Sequence, residues 1–189
     1  KKAQQSYTEA VNSNPKYAYA YCDRAAVHIK TGNYKAALDD YETALHIMPS
    51  ESYIYVLRAW AKTWMNNFSG AISDVNTAIL MDREKELEYL NERANIYSKF
   101  KKYKLATDDF KNCIAKNPGF ADTYINMGNM FMEQKKYAEA EKYYTLALEK
   151  DSFNIAAYNN RANAKELQFD LKGAASDRQI AENLLKQLK

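Results

Sequence analysis

A unit of 34 residues recurs along this chain, and that period constrains the fold more than any other property of the sequence. Starting at Ala18 the unit reads AYAYCDRAAVHIKTGNYKAALDDYETALHIMPSE, and later units start at Ser52, Leu87, Ala121 and Ile155. The spacing is constant except between Ser52 and Leu87, where one residue is inserted near DREKE. Slot four of each unit is large: Tyr21, Tyr55, Leu90, Tyr124, Tyr158. Slot eight is small: Ala25, Ala59, Ala94, Gly128, Ala162. Slot seventeen holds Tyr34, Phe68, Tyr103, Tyr137 and Leu171, and slot twenty is Ala37, Ala71, Ala106, Ala140 and Ala174. Ala44, Ala78, Cys113, Ala147 and Ala181 fill slot twenty-seven, while Pro49 and Pro118 occupy slot thirty-two. Ahead of Ala18, residues Ala3, Tyr7, Ala10 and Pro15 fit the second half of the same frame. The chain is therefore expected to begin inside a unit, as a segment of a longer protein; its first residue is Lys1 rather than Met.

Each unit reads as two helices. Slots four, eight and eleven form one apolar stripe, and slots twenty, twenty-four and twenty-seven form another. Small residues at slots eight and twenty let the two backbones approach, and aromatics fill the gaps between them. Turns fall at segments such as TGN and KKY, and proline closes the unit because it cannot continue a helix. One such hairpin cannot bury its own face, so neighbours must stack. Most of the sixteen tyrosines are thereby explained as packing residues.

The period and the aromatic/small/Tyr/Ala/Ala/Pro pattern resemble the tetratricopeptide repeat family across essentially the whole chain. The resemblance implies an all-α, right-handed α-solenoid (superhelix) of antiparallel helix pairs, about 11 helices in a single array. Its segments would be a half repeat over 1–17, then repeats over 18–51, 52–86, 87–120, 121–154 and 155–189, the last with an extended final helix. It also implies a protein–protein interaction scaffold, not an enzyme, with a concave groove lined mainly by the first helix of each repeat.

Two slots vary together. Slot seven holds Arg24, Arg58, Arg93, Met127 and Arg161; slot twenty-three holds Asp40, Asp74, Asp109, Tyr143 and Asp177. The unit that lacks the arginine also lacks the aspartate. These slots lie on facing helices at the edge of the buried stripe, so an Arg–Asp bridge is expected to tie each hairpin, with Met127 against Tyr143 as its apolar replacement. Arginine suits the role because its planar fork meets a carboxylate through two bonds.

At 100° per residue, slots two, five, six, nine, twelve and thirteen of the first helix face away from the core stripe. They give a candidate peptide-binding face of Tyr19, Tyr53, Val56, Leu57, Trp60, Trp64, Asn91, Asn95, Asn126, Asn129, Asn159, Asn160 and Asn163, apolar and aromatic early in the chain and amide-rich late. Buried tryptophan is a common interface anchor, and Trp60 and Trp64 could equally pack between successive first helices. The asparagines resemble the amide ladder of the tetratricopeptide region of O-GlcNAc transferase, which implies a grip on an extended peptide backbone; an amide both donates and accepts. Asp23, Leu57 and Glu92 depart from that ladder and confine it to the later repeats. The chaperone-tail carboxylate clamp fits less well: its asparagines match at Asn95 and Asn126, but Asn91, Ala156 and Asn160 stand where cations are needed. A chaperone C-terminal tail is accordingly not the expected ligand.

Other functions find little support. A net charge of +3, with no concentrated basic stripe, argues against nucleic acid. No apolar run approaches the ~18 residues of a membrane span. His28 and His46 lack metal-ligand spacing, no phosphate loop is present, and no cofactor is expected. Cys22 and Cys113 read as ordinary reduced thiols and do not fix the compartment. Two alternatives to groove binding remain: a homo-oligomer formed through the array ends, where Leu184, Leu185 and Leu188 lie on the final helix, and a regulatory or spacer segment of a larger protein.

Overall fold

The computed structural model of the chain describes residues 2–187, with side chains from residue 5 onward. Ala3 has no described side chain, and Leu188 lies outside the described residues. Eleven α-helices and no strand occur among them: α1 Lys2–Ser13, α2 Ala18–Lys30, α3 Tyr34–Ile47, α4 Ser52–Trp64, α5 Phe68–Met81, α6 Glu86–Lys99, α7 Tyr103–Lys116, α8 Ala121–Glu133, α9 Tyr137–Lys150, α10 Ile155–Glu166 and α11 Leu171–Gln187. The chain forms two compact units, Lys1–Phe100 and Lys101–Lys189. In the first, α2 packs on α3 and α4 on α5, α1, α3 and α5 each meet the helix that follows, and α4 also touches α6. In the second, α8 packs on α9 and α10 on α11, with α7 against α8, α9 against α10, and α8 reaching α10.

Close approach of the paired helices rests on the small slots. Ala25, Ala37, Ala59, Ala71, Ala140 and Ala162 are wholly buried. Where slot eight is Gly128, a Cβ would lie 2.5 Å from the Tyr144 ring, so this hairpin has room only for hydrogen. The turn after each first helix uses the left-handed region once per repeat, at Gly32, Asn66, Lys101, Lys135 and Phe169 (φ 76, 59, 57, 60 and 66°). Around four of these the amides bond backward as a Schellman pair: Asn33 N–H to His28 and Gly32 N–H to Ile29, and likewise at Asn67/Asn66, Lys136/Lys135 and Asp170/Phe169. Glycine occupies only the first of the five turns. The second helix is then capped by Asn33 and Asn67, and α10 by Asn154, each side chain accepting from an amide in the first turn.

Slot four and slot thirty-two are joined. Tyr21, Tyr55 and Tyr124 donate their hydroxyls to the carbonyls of Pro15, Pro49 and Pro118, at 3.3, 3.2 and 3.1 Å. Proline ends one repeat, and the tyrosine of the next binds the carbonyl that proline presents.

The Arg–Asp bridges form as two-bond forks in three hairpins. Arg24 reaches Asp40 at 2.9 and 2.5 Å, Arg58 reaches Asp74 at 2.9 and 2.7 Å, and Arg161 reaches Asp177 at 2.9 and 2.6 Å. Each guanidinium also lies over the slot-four ring, at 5.5, 5.4 and 5.5 Å from the centroids of Tyr21, Tyr55 and Tyr158. Arg93 has leucine at slot four; it lies over Tyr97 instead and donates to Asn76 Oδ1 at 2.7 Å. Slot eleven is corrected by the structure. It is not uniformly part of the apolar stripe, for Lys62 and Lys165 bring their ammonium groups to 2.8 and 2.9 Å from Asp74 and Asp177. Burial would push the Asp177 carboxyl up, but the bonds from Arg161 and Lys165 outweigh it and hold the group below its ordinary range. In the hairpin without a bridge the ring of Tyr143 stacks on Phe131, centroids 5.3 Å apart, and Met127 is buried. The apolar substitute is thus a trio that also includes slot eleven.

Two expectations follow for stability. Arg58→Met leaves Asp74 buried beside one lysine and costs about 3 kcal/mol, whereas Arg58→Met/Lys62→Phe/Asp74→Tyr, which installs the Met127–Phe131–Tyr143 trio, recovers most of that loss; urea unfolding of the three chains decides the point. Phe169→Gly relieves a left-handed phenylalanine and gains about 0.5–1 kcal/mol, read in the same measurement.

Candidate functional site

The first helices of the Lys1–Phe100 unit, α2, α4 and α6, share a face lined by aromatic rings and carboxylates. Tyr19, Tyr53 and Trp64 are 43%, 51% and 47% exposed, with Leu57 and Trp60 half-buried between them. Two recesses open there. One, of about 230 Å³, is lined by residues that include Tyr19, Asp23, Tyr41, Tyr53 and Leu57. The other, of about 140 Å³, is lined by Tyr53, Leu57, Trp60, Glu88, Tyr89 and Glu92 among others. Tyr53 and Leu57 wall both, so the recesses adjoin.

Trp60 is fixed by its indole N–H, which donates to Glu92 Oε2 on α6 at 2.8 Å. Its ring lies 6.4 Å from Trp64, which in turn stacks on Tyr34 of α3 at 6.1 Å and 15°. Trp60 therefore packs toward the neighbouring first helix, while Trp64 keeps about half its surface in solvent. Tyr19 donates to Glu51 at 3.3 Å, and that carboxylate raises its hydroxyl's pKa. Burial pushes the Cys22 thiol up to about 11, which leaves it protonated and a poor nucleophile; both cysteines are buried.

Glu92 is the residue whose part the sequence reading set aside, as a departure from the amide ladder. Its carboxyl is raised above the ordinary range by burial, and the Trp60 bond only partly offsets this. The signal that would have located it is a contact between slot nine of one repeat and slot six of the next. Trp60 and Glu92 make it in this unit, and Asn129 and Asn160 make it in the other.

Val56 and Asn91, expected on the open face, are buried at 3% and 5% exposure. For Val56 the neighbouring first helix is the reason: α4 packs beside α6, and Val56 lines the recess between them with Glu88 and Tyr89. Asn95 is half-buried. In the Lys101–Lys189 unit, Asn129 Oδ1 accepts from Tyr144 at 2.8 Å and from Asn160 Nδ2 at 3.2 Å. Asn163 Oδ1 accepts from Arg178 at 3.2 Å, and Arg178 also pairs with Glu166. Those oxygens are engaged within the protein. Asn126 is half-buried and Asn159 exposed, and neither side chain has a hydrogen-bond partner among the described residues. Among the described residues no helix is long and apolar enough to cross a membrane.

The raised Glu92 acid makes a pH-dependent prediction. Because the folded state holds this proton more tightly than the unfolded chain, its contribution is full below the ordinary carboxylate pKa and is lost as pH rises through the raised value. Glu92→Gln keeps an acceptor for Trp60 without the charge. Its melting temperature should match wild type in mild acid and exceed it by a few degrees at neutral pH, as calorimetry at the two pH values would register.

Comparison with known proteins places this geometry. The family model described as Tetratricopeptide repeat matches residues 18–51 and 121–154. Tetratricopeptide repeat protein 6 of Homo sapiens is 27% identical over 161 residues, covering 85% of this chain; the chain spans about a quarter of that relative, 24% of its length. A crystal structure of a tetratricopeptide repeat protein from Parabacteroides merdae superposes with TM-score 0.81 at 22% identity, over 97% of this chain and 71% of that one. The crystal structure of YrrB, described as a TPR protein with an unusual peptide-binding site, gives TM-score 0.55 at 17% identity over 96% and 93% of the two chains.

Proposed function

We propose that this chain, an array of tetratricopeptide repeats, is a protein–protein interaction scaffold that binds an extended segment of a partner protein along the first-helix face of α2, α4 and α6. The observation that carries this reading is the row Tyr19, Tyr53 and Trp64, three large aromatics each about half in solvent on one face beside two adjoining recesses. Core packing does not require that exposure: the slot-four tyrosines, which do pack, are half-buried or buried. Aromatic side chains of this kind contribute large contact area at small entropic cost. YrrB is a chain of similar fold described as having an unusual peptide-binding site. In the later repeats Asn126 and Asn159 offer amides that no neighbour within the described residues occupies, suited to the backbone of the same kind of segment.

Random linear peptides selected on the full chain test the reading. Trp60 and Trp64 are the chain's two tryptophans, so their emission reports directly on this face. Peptides should alter that emission, and Tyr53→Ala/Trp64→Ala should weaken their binding about tenfold or more. Selected peptides that bind the variant as tightly as wild type would overturn the proposal.

A further inference from the structure

We propose that the recess between α4 and α6 seats a cationic side chain, arginine or lysine, of the bound segment. This deepens the peptide-binding reading and rests on it. The recess joins two carboxylates, Glu88 and Glu92, to the rings of Tyr53, Trp60 and Tyr89. Carboxylates bond a guanidinium or ammonium directly, and the aromatic faces attract the same cation. An apolar side chain would satisfy the rings but leave the acids stranded. An acidic one would be repelled.

No lysine or arginine lines the recess. Arg58 and Lys62 both grip Asp74, Arg24 grips Asp40, and Lys85 stands 3.7 Å from Asp82. Glu92 is left with one neutral donor, the Trp60 indole, which aims its carboxyl and does not neutralise it. Burying an acid with that partner alone is unfavourable for the ionised form. A locally destabilising acid on an otherwise well-packed helix fits a group kept for binding at a cost in stability. The arriving cation supplies the missing charge.

The charged residues that line the two recesses have the same sign. Although the chain carries +3 overall, the adjoining recess adds Asp23, and Glu51 accepts from Tyr19 beside it. A segment with one basic residue for the Glu92 recess and an apolar or second basic residue for the Tyr19–Tyr53 recess matches both. The surrounding field also favours its approach.

The peptides selected on the full chain supply the test. Arginine or lysine should be enriched among them, and replacing that arginine by citrulline, its neutral isostere, should weaken binding about tenfold or more. Glu88→Gln/Glu92→Gln should cause a similar loss, and the citrulline peptide should lose little further on that variant, which marks a direct pairing. These glutamine variants retain the Trp60 acceptor, and their circular dichroism melt confirms folding. Three results overturn the proposal. Peptides that lose affinity on Tyr53→Ala/Trp64→Ala yet ignore Glu88→Gln/Glu92→Gln leave the peptide-binding face standing and remove the cation seat. Peptides indifferent to both pairs remove the face itself. An emission change produced by concentrating the chain alone, and abolished by Glu88→Gln/Glu92→Gln, assigns the recess to a second copy of the chain.

Discussion

Backbone approach at alanine is the constraint on which the rest depends. Helices of twelve to fourteen residues, the lengths of most of those here, are marginal in isolation, and a single hairpin cannot bury its own stripe. Ala25 against α3, or Ala59 against α5, adds almost no bulk between the axes, so the larger side chains of slots four and twenty-four interleave rather than collide. Gly128 shows how narrow the tolerance is, since Tyr144 takes the space a methyl group would need. Once the hairpin closes at that distance, the left-handed turn residue, the Schellman bonds and the tyrosine-to-proline contact fall at the same slots in successive repeats.

On that frame the polar clusters decide which helix faces meet. A partly buried Arg–Asp–Lys cluster is weak support for stability, because desolvation consumes much of its attraction. Its two parallel bonds are nonetheless directional, as an alanine contact is not. Rotating either helix by one residue would break the Arg58 fork, strand Asp74 and carry Arg58 off the Tyr55 ring. The repeat that replaces the cluster does so with three residues together, Met127, Phe131 and Tyr143, because a lone apolar substitution would leave a charge without its partner.

Most of the fold was legible in the sequence, for a physical reason: its determinants recur, and recurrence separates signal from accident. Eleven helices, their turns and the three Arg–Asp forks could be read because each involves slots repeated at a fixed spacing. Lys62 and Lys165 could not, because their period marks them as core while only their stems are buried and their heads reach the aspartate. Slot five misled in the opposite sense. A projection of one helix shows Val56 turned away from its own hairpin, but it carries no information about the next first helix, α6, which packs beside it.

That packing is also what gives the candidate site its chemistry. Slot nine of one first helix meets slot six of the next, so two side chains from different repeats form each rung of the face. In one unit the rung is Trp60 with Glu92, an indole holding a carboxylate; in the other it is Asn129 with Asn160, one amide bonded to another. The backbone geometry is repeated while the ligand chemistry is not. An amide rung is neutral and largely self-satisfied, so it adds little selectivity. The tryptophan–glutamate rung keeps a charge that the protein itself does not balance, and a partner that brings a cation gains at that position what the folded chain alone forgoes. On the proposed reading, specificity resides in the few rungs whose electrostatics are left incomplete, and the aromatic rings around them supply contact area with little preference of their own.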